Sequence, residues 1–254
     1  MKNIRIIPRL DIKGPNLIKG IHTEGLRVLG NPKEFAKRYY EEGADEIIYL
    51  DTVASLYQRN LDFDLLKTVA EQISIPLTVG GGIRSIHDIN NALRAGADKV
   101  AINTYAVSHP EFLAEGAKKF GSQCIVLYIE AKKIMPGKWE VYTDGGRERT
   151  GLDVIEWAKK TIDLGVGEIL ITSVDFDGTR KGFDTDLVSA ITGFAPIPVI
   201  AHGGAGDFIS VKNIITQGHA DAVAISSVLH YKDYSLKDLK KYLNTENINV
   251  RAVC

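Results

Sequence analysis

The chain has 254 residues, 31 Lys+Arg against 32 Asp+Glu, a formal charge of −1 and 44% hydrophobic residues. That balance excludes disordered, collagenous and disulfide-rich chains, and it leaves no basic footprint for nucleic acid or an anionic membrane. No apolar run approaches the roughly 18 residues of a membrane span, and Arg5, Arg9 and Asp11 break what would have to be a signal peptide's apolar stretch. Two cysteines, Cys124 and Cys254, make neither a disulfide framework nor a metal spacing, which fits a reducing cytoplasm. The histidines show no ligand pattern, and no metal or organic cofactor is implied.

In chain order, Arg5–Asp11 reads as a first strand. Pro8 lies inside it and removes a ladder donor, so a bulge or an unpaired position is expected there. A glycine-bounded loop, Gly14–Gly30, follows. Asn31-Pro32-Lys33-Glu34 then supplies a cap, a proline at the first helical position and a glutamate at the third, with Gly43 closing the helix. Glu46–Asp51 and Leu77–Gly81 read as strands. Ser85 with Asp88 opens a helix that Gly96 ends, Lys99–Asn103 is the next strand, and Ser108 with Glu111 opens a helix ending near Gly121. Gln123–Glu130, Glu168–Ser173, Val199–His202 and Ala222–Ser226 are the later strands, and Ser235 with Asp238 opens the last helix.

The strand runs are almost continuous Val, Ile and Leu rather than alternating, which suits parallel strands buried on both faces. Eight strand–helix units follow one another without a polar linker, and no Gly-x-Gly-x-x-Gly follows the first strand. The expected fold is an α/β, closed (β/α)8 TIM barrel in one domain, 1–254. An internal repeat supports two half-barrels. The run Ile75-Pro-Leu-Thr-Val-Gly-Gly-Gly82 returns as Ile197-Pro-Val-Ile-Ala-His-Gly-Gly204, with Gly81 and Gly203 standing 122 residues apart.

In such a barrel, chemistry collects where strands end. The Gly81-Gly82 turn pairs with Asn103-Thr104, and Gly203-Gly204 pairs with Ser226-Ser227. Bare amides, hydroxyls and helix starts make an anion cradle, although glycines in a tight turn need no ligand to justify them. Two copies at a half-chain offset favour phosphate, and two cradles on opposite rims imply one ligand phosphorylated at both ends. Asp11 and Glu130 end symmetry-related strands, and a carboxylate pair in unlike surroundings divides acid and base work. A plain alternative is that each caps the following loop. Lys19 lies in the Gly14–Gly30 loop, a mobile lid whose lysine could swing over an anionic substrate. At the opposite rim, Arg5, Glu46, Lys99 and Glu168 alternate in sign and could close a salt-bridged ring over the axis, a gate or a stability cluster.

These residues are familiar as a set. The sequence resembles the cyclase subunits of imidazole glycerol phosphate synthase over nearly its whole length. The shared motifs include Arg-Ile-Ile-x-x-Leu-Asp11, Lys19-Gly20, Thr78-Val-Gly-Gly-Gly-Ile83, Ile102-Asn-Thr104, Thr172-Ser-x-Asp-x-Asp-Gly-Thr179 and Ile200-Ala-x-Gly-Gly-Ala-Gly206. The resemblance implies an enzyme that takes ammonia from a glutaminase partner docked at the N-terminal barrel face. Arg5, Glu46, Lys99 and Glu168 match the family's ammonia gate. At the other rim the ammonia would attack a doubly phosphorylated ribulosyl-formimino intermediate, with Asp177 and Gly178 beside the second cradle. Asp11 matches the catalytic acid and Lys19 the lid lysine.

The departures cluster at the reacting centre. Glu130 stands where the family has aspartate, and a carboxylate displaced by roughly 1 Å can lose about 10²-fold in rate. Arg9 replaces a small residue and is expected to pair with Glu130 or Asp51. The lid reads Gly20-Ile-His-Thr-Glu-Gly-Leu-Arg-Val28 where the family has an aromatic and an acid, and Val53 and His202 replace hydroxyl residues. Kept cradles with an altered centre admit a second reading, an ammonia-delivering subunit for amidation of a surface-polysaccharide sugar. The sibling isomerase, with a similar two-phosphate substrate, has no use for the basal charges.

Overall fold

The computed structural model describes residues 2–252, so Cys254 lies outside it. Twelve strands and ten α-helices alternate along it. The strands are β1 (Arg5–Lys13), β2 (Asn16–Ile21), β3 (Glu24–Gly30), β4 (Ile47–Asp51), β5 (Leu77–Gly80), β6 (Lys99–Ile102), β7 (Ile125–Met135), β8 (Lys138–Thr143), β9 (Glu148–Asp153), β10 (Glu168–Ser173), β11 (Val199–His202) and β12 (Ala222–Ile225). The helices are α1 (Pro32–Glu41), α2 (Phe63–Ala70), α3 (Ile86–Arg94), α4 (Thr104–Ser108), α5 (Glu111–Phe120), α6 (Val154–Asp163), α7 (Thr185–Thr192), α8 (Phe208–Thr216), α9 (Ser227–His230) and α10 (Leu236–Thr245).

Eight of the strands run parallel and close in the order β1-β4-β5-β6-β7-β10-β11-β12, with β12 returning to β1, which is a (β/α)8 barrel. Its side chains part into two cores. Ile6, Leu10 and Ile12 on β1 face the helices, while Ile7 joins Ile48, Val126, Leu170 and Ile200 inside the bore. This two-sided burial is why the strands read as unbroken apolar runs. The half-barrel repeat reaches beyond the strands. In each half the first strand overruns the barrel into an antiparallel hairpin, β1 into β2–β3 and β7 into β8–β9.

Three local expectations are corrected. Gly14–Gly30 is not a loop but the β2–β3 hairpin. Pro8 sits in continuous register opposite Ile225, where β1 hands its pairing from β12 to β4 at Arg9, so the missing donor needs no bulge. Ser108 is the last residue of α4, and α5 starts after Pro110 without a side-chain cap. Asn31, Ser85 and Ser235 do cap α1, α3 and α10, the last with a full capping box. Four further helices, α2, α6, α7 and α8, begin on Asp62, Asp153, Asp184 and Asp207.

Candidate active site

Strand alternation builds the mouth. Residues two apart share a face, so Arg9 lies beneath Asp11 on β1 and Tyr128 beneath Glu130 on β7. The two strands stand opposite each other in the ring of eight. Asp11 Oδ1 accepts from Arg9 Nε at 2.8 Å, and Oδ2 accepts from Lys19 Nζ at 2.9 Å. Burial alone would raise this carboxyl's pKa, but Arg9 and Lys19 outweigh it and hold Asp11 well below the usual carboxylate range. Glu130 Oε1 accepts from Tyr128 Oη at 3.0 Å, and Oε2 accepts from Asn103 Nδ2 at 3.1 Å and the Gly146 amide at 3.0 Å. Here burial dominates and raises the pKa, offset only in part by those donors and by Arg9. The two acids are therefore unequal: Asp11 is held ionised and Glu130 keeps its proton to higher pH.

Arg9 pairs with neither carboxylate expected of it. Its partner is Asp11, while Asp51 is held by Arg59 at 2.6 Å. The remaining Arg9 donors go to Thr172 Oγ1 at 2.8 Å, His202 Nδ1 at 3.0 Å and Tyr128 Oη at 3.2 Å. Arginine only donates, so His202 Nδ1 is bare and Nε2 carries the proton toward Ser226 Oγ at 3.2 Å. Burial, then Arg9 and Lys19, push the His202 pKa far down, and the ring is neutral.

Lys19 is not a swinging lid residue in this conformation. It is 3% exposed on β2 and bridges Asp11 to both oxygens of Asp177, at 2.9 and 3.1 Å. The hairpin rests on Gly178, where a Cβ would collide with the Gly20 carbonyl.

Each Gly-Gly turn meets its expected polar partner. Gly81 and Gly82 line a cavity of about 290 Å³ together with Asn103, Thr104 and Glu130. Gly203 and Gly204 meet Ser226, Ser227, Asp177 and Gly178 around a space of only about 10 Å³, room for a single water. Both turns need glycine, since φ is +95° at Gly81 and +97° at Gly203, and a side chain there would strike the preceding strand end. Asn103 and Thr104 are already engaged, Asn103 on Glu130 and Thr104 Oγ1 accepting from the Asp144 amide at 3.2 Å.

At the other end the four charges close a ring. Arg5 contacts Glu46 at 2.7 Å and also Glu168, and Lys99 contacts Glu46 at 2.9 Å and Glu168 at 2.8 Å. Among the described residues, no group of three His, Cys, Asp or Glu side chains is placed to hold a metal ion, and no helix is long and apolar enough to cross a membrane.

Sequence reading missed Tyr128, Gly146, Thr172 and Arg59. Tyr128 carried a usable signal, since it stands two before Glu130 as Arg9 stands two before Asp11. Gly146 contributes only a backbone amide from beyond β8, which no residue type announces.

The family model described as histidine biosynthesis protein matches residues 5–235. A subunit from Legionella pneumophila, named imidazole glycerol phosphate synthase subunit HisF, is 60% identical over 206 residues, which cover 81% of this chain and 97% of the relative. On those matches and this barrel, the chain belongs to the histidine biosynthesis family of imidazole glycerol phosphate synthase cyclase subunits.

Proposed function

We propose that this chain uses ammonia to convert a doubly phosphorylated ribulosyl-formimino aminoimidazole carboxamide ribotide into imidazole glycerol phosphate. It acts as the lyase subunit beside a glutaminase. The observation that carries this is the pair of rim carboxylates with opposite proton affinities, set on facing strands between two glycine cradles. Glu130, protonated to higher pH, gives a proton to the departing aminoimidazole carboxamide ribotide, the second product, and Asp11, ionised, takes one from the attacking amine as the imidazole ring closes. The Gly81-Gly82 cradle has room for one phosphate. The second cradle is closed down to the size of a single water, so the other phosphate sits at its rim, in the cavity of about 590 Å³ that Gly178, Arg180 and Ser227 line. The reacting atoms then lie over the mouth. The basal ring of Arg5, Glu46, Lys99 and Glu168 admits ammonia from a glutaminase on that face, with Asp98 and Lys99 in the contact.

A purified sample given ammonium salt and the ribulosyl substrate at alkaline pH should make imidazole glycerol phosphate without any glutaminase. The alternative, ammonia delivery for amidation of a polysaccharide sugar, is not favoured by the family match. Inactivity that Glu130→Asp does not rescue would select that reading. Failure to capture a glutaminase on the basal face would count against both.

A further inference from the structure

Arg9 lies across the bore. It leaves β1 just below the mouth and reaches the opposite strand β7, where its Cζ sits 5.3 Å from the Tyr128 ring centre. On the way it bonds Thr172 on β10 and His202 on β11, and those two also contact each other at 3.1 Å. Arg9 is 1% exposed and among the largest fully buried side chains of the protein. The sector of the mouth over β10, β11 and β1 is thus filled by a hydrogen-bonded sheet of polar groups with a cation at its centre. The sector over β4, β5 and β6 differs. There the inward positions are Leu50, Gly80 and Ala101, and the 290 Å³ cavity reaches down to Leu50, Ala101 and Tyr128, with Glu130 on its wall.

We propose that Arg9 is a partition that shuts one half of the bore and directs ammonia rising from the basal ring out between Leu50, Ala101 and Tyr128, beside Glu130. Arg9 is then a positioning residue: it decides on which side of the mouth the nucleophile emerges, and it seals the route that would leak toward the second cradle. This rests on the cyclase reading above.

The test measures glutamine hydrolysed per imidazole glycerol phosphate formed by the complex with its glutaminase. The wild-type ratio should be near unity. Arg9→Ala, which opens the closed sector, should raise the ratio by roughly threefold or more as ammonia escapes, whereas Arg9→Met, which refills the space without a charge, should stay near the wild-type value. A purely structural role would lower turnover in both variants and leave the ratio unmoved, and that result overturns the proposal. Should Arg9→Ala fail to fold, Ala101→Leu supplies the second arm. By narrowing the open window, it should depress glutamine-driven turnover about tenfold more than turnover on added ammonium, and equal losses overturn the proposal. Wild-type protein that makes product from ammonium but never from glutamine removes the route and leaves the cyclase chemistry standing. Wild-type protein that makes none from ammonium refutes the cyclase reading itself.

Discussion

Arg9 and Tyr128 occupy equivalent places, each two residues before a rim carboxylate and each 119 residues from its counterpart. Arg9, with Lys19, holds the proton affinity of Asp11 down, whereas burial raises that of Glu130 and the Tyr128 phenol offsets it only in part. On the proposed function, Asp11→Asn should cut turnover by about 10²-fold or more, since the proton acceptor is lost. It should also cost roughly 3–5 kcal/mol of stability, because Arg9 loses the carboxylate it is paired with in a buried site. Steady-state kinetics and urea melts check both, and retained turnover would mean that Asp11 is not the base. Titration of the buried histidines gives a second expectation. Burial pushes His230 down to about 3, and His202 also lies far below its ordinary value. Below pH 6.5 the unfolded chain binds protons that the folded one refuses, so stability falls on acidification. His230 accounts for roughly 2 kcal/mol between pH 6.5 and 5, and His202 adds to the loss in the same direction. Glu130 acts with the opposite sign, because its raised value makes the folded state hold a proton that the unfolded chain has released. Asp11 contributes stability above the ordinary carboxylate range and loses it only at lower pH. Urea midpoints at pH 7, 6 and 5 should decline, and His230→Gln should flatten the decline. A level profile in the wild type would contradict the assignment.

Helix starts and hairpins were unequally legible. The caps at Asn31, Ser85 and Ser235 follow from short-range hydrogen bonding that any local sequence displays. The β2–β3 hairpin was read as a mobile loop because β3 carries no alternating apolar pattern, most of it being exposed, and β2 buries Lys19 in place of a hydrophobe. Its strand character comes from the neighbouring β1, against which Asp11 pairs with Ile18. Asp184 shows how one residue joins two elements. It caps α7 through the Leu187 amide at 3.1 Å and accepts from Trp139 Nε1 of β8 at 2.9 Å, tying the second hairpin to the helix layer. Asp184→Ala should cost roughly 2–4 kcal/mol, a lost cap plus an orphaned buried indole N–H. Because the residue lies away from the mouth carboxylates, kcat on ammonium should change little. A urea midpoint within error of the wild type would show that the tie is idle.

At the scale of the whole barrel, the basal ring joins the starts of β1, β6 and β10 to Glu46, which immediately precedes β4, each cation touching both anions. Lys99→Met leaves Glu46 and Glu168 to share Arg5. The loss should be roughly 1–3 kcal/mol, below that of a fully buried pair because both cations are partly exposed. On the reading proposed for this face, the same variant should impair glutamine-driven turnover more than turnover on added ammonium. Equal effects on the two would make the ring a stability device alone.

Composition, periodicity and the half-chain repeat were sufficient to determine eight parallel strands, their order and the rim on which the polar residues gather. Those features depend on hydrophobic spacing and on glycine or proline backbone limits, which are local. Which charges meet was decided only by closure of the barrel. Arg9 finds Thr172 at a separation of 163 residues and His202 at 193, and Lys19 finds Asp177 at 158. Asp11 stands two residues from Arg9 on the same strand, but that the guanidinium turns to it rather than to Glu130 or Asp51, and crosses to Tyr128, follows burial across the bore, which does not exist until the first and last strands pair.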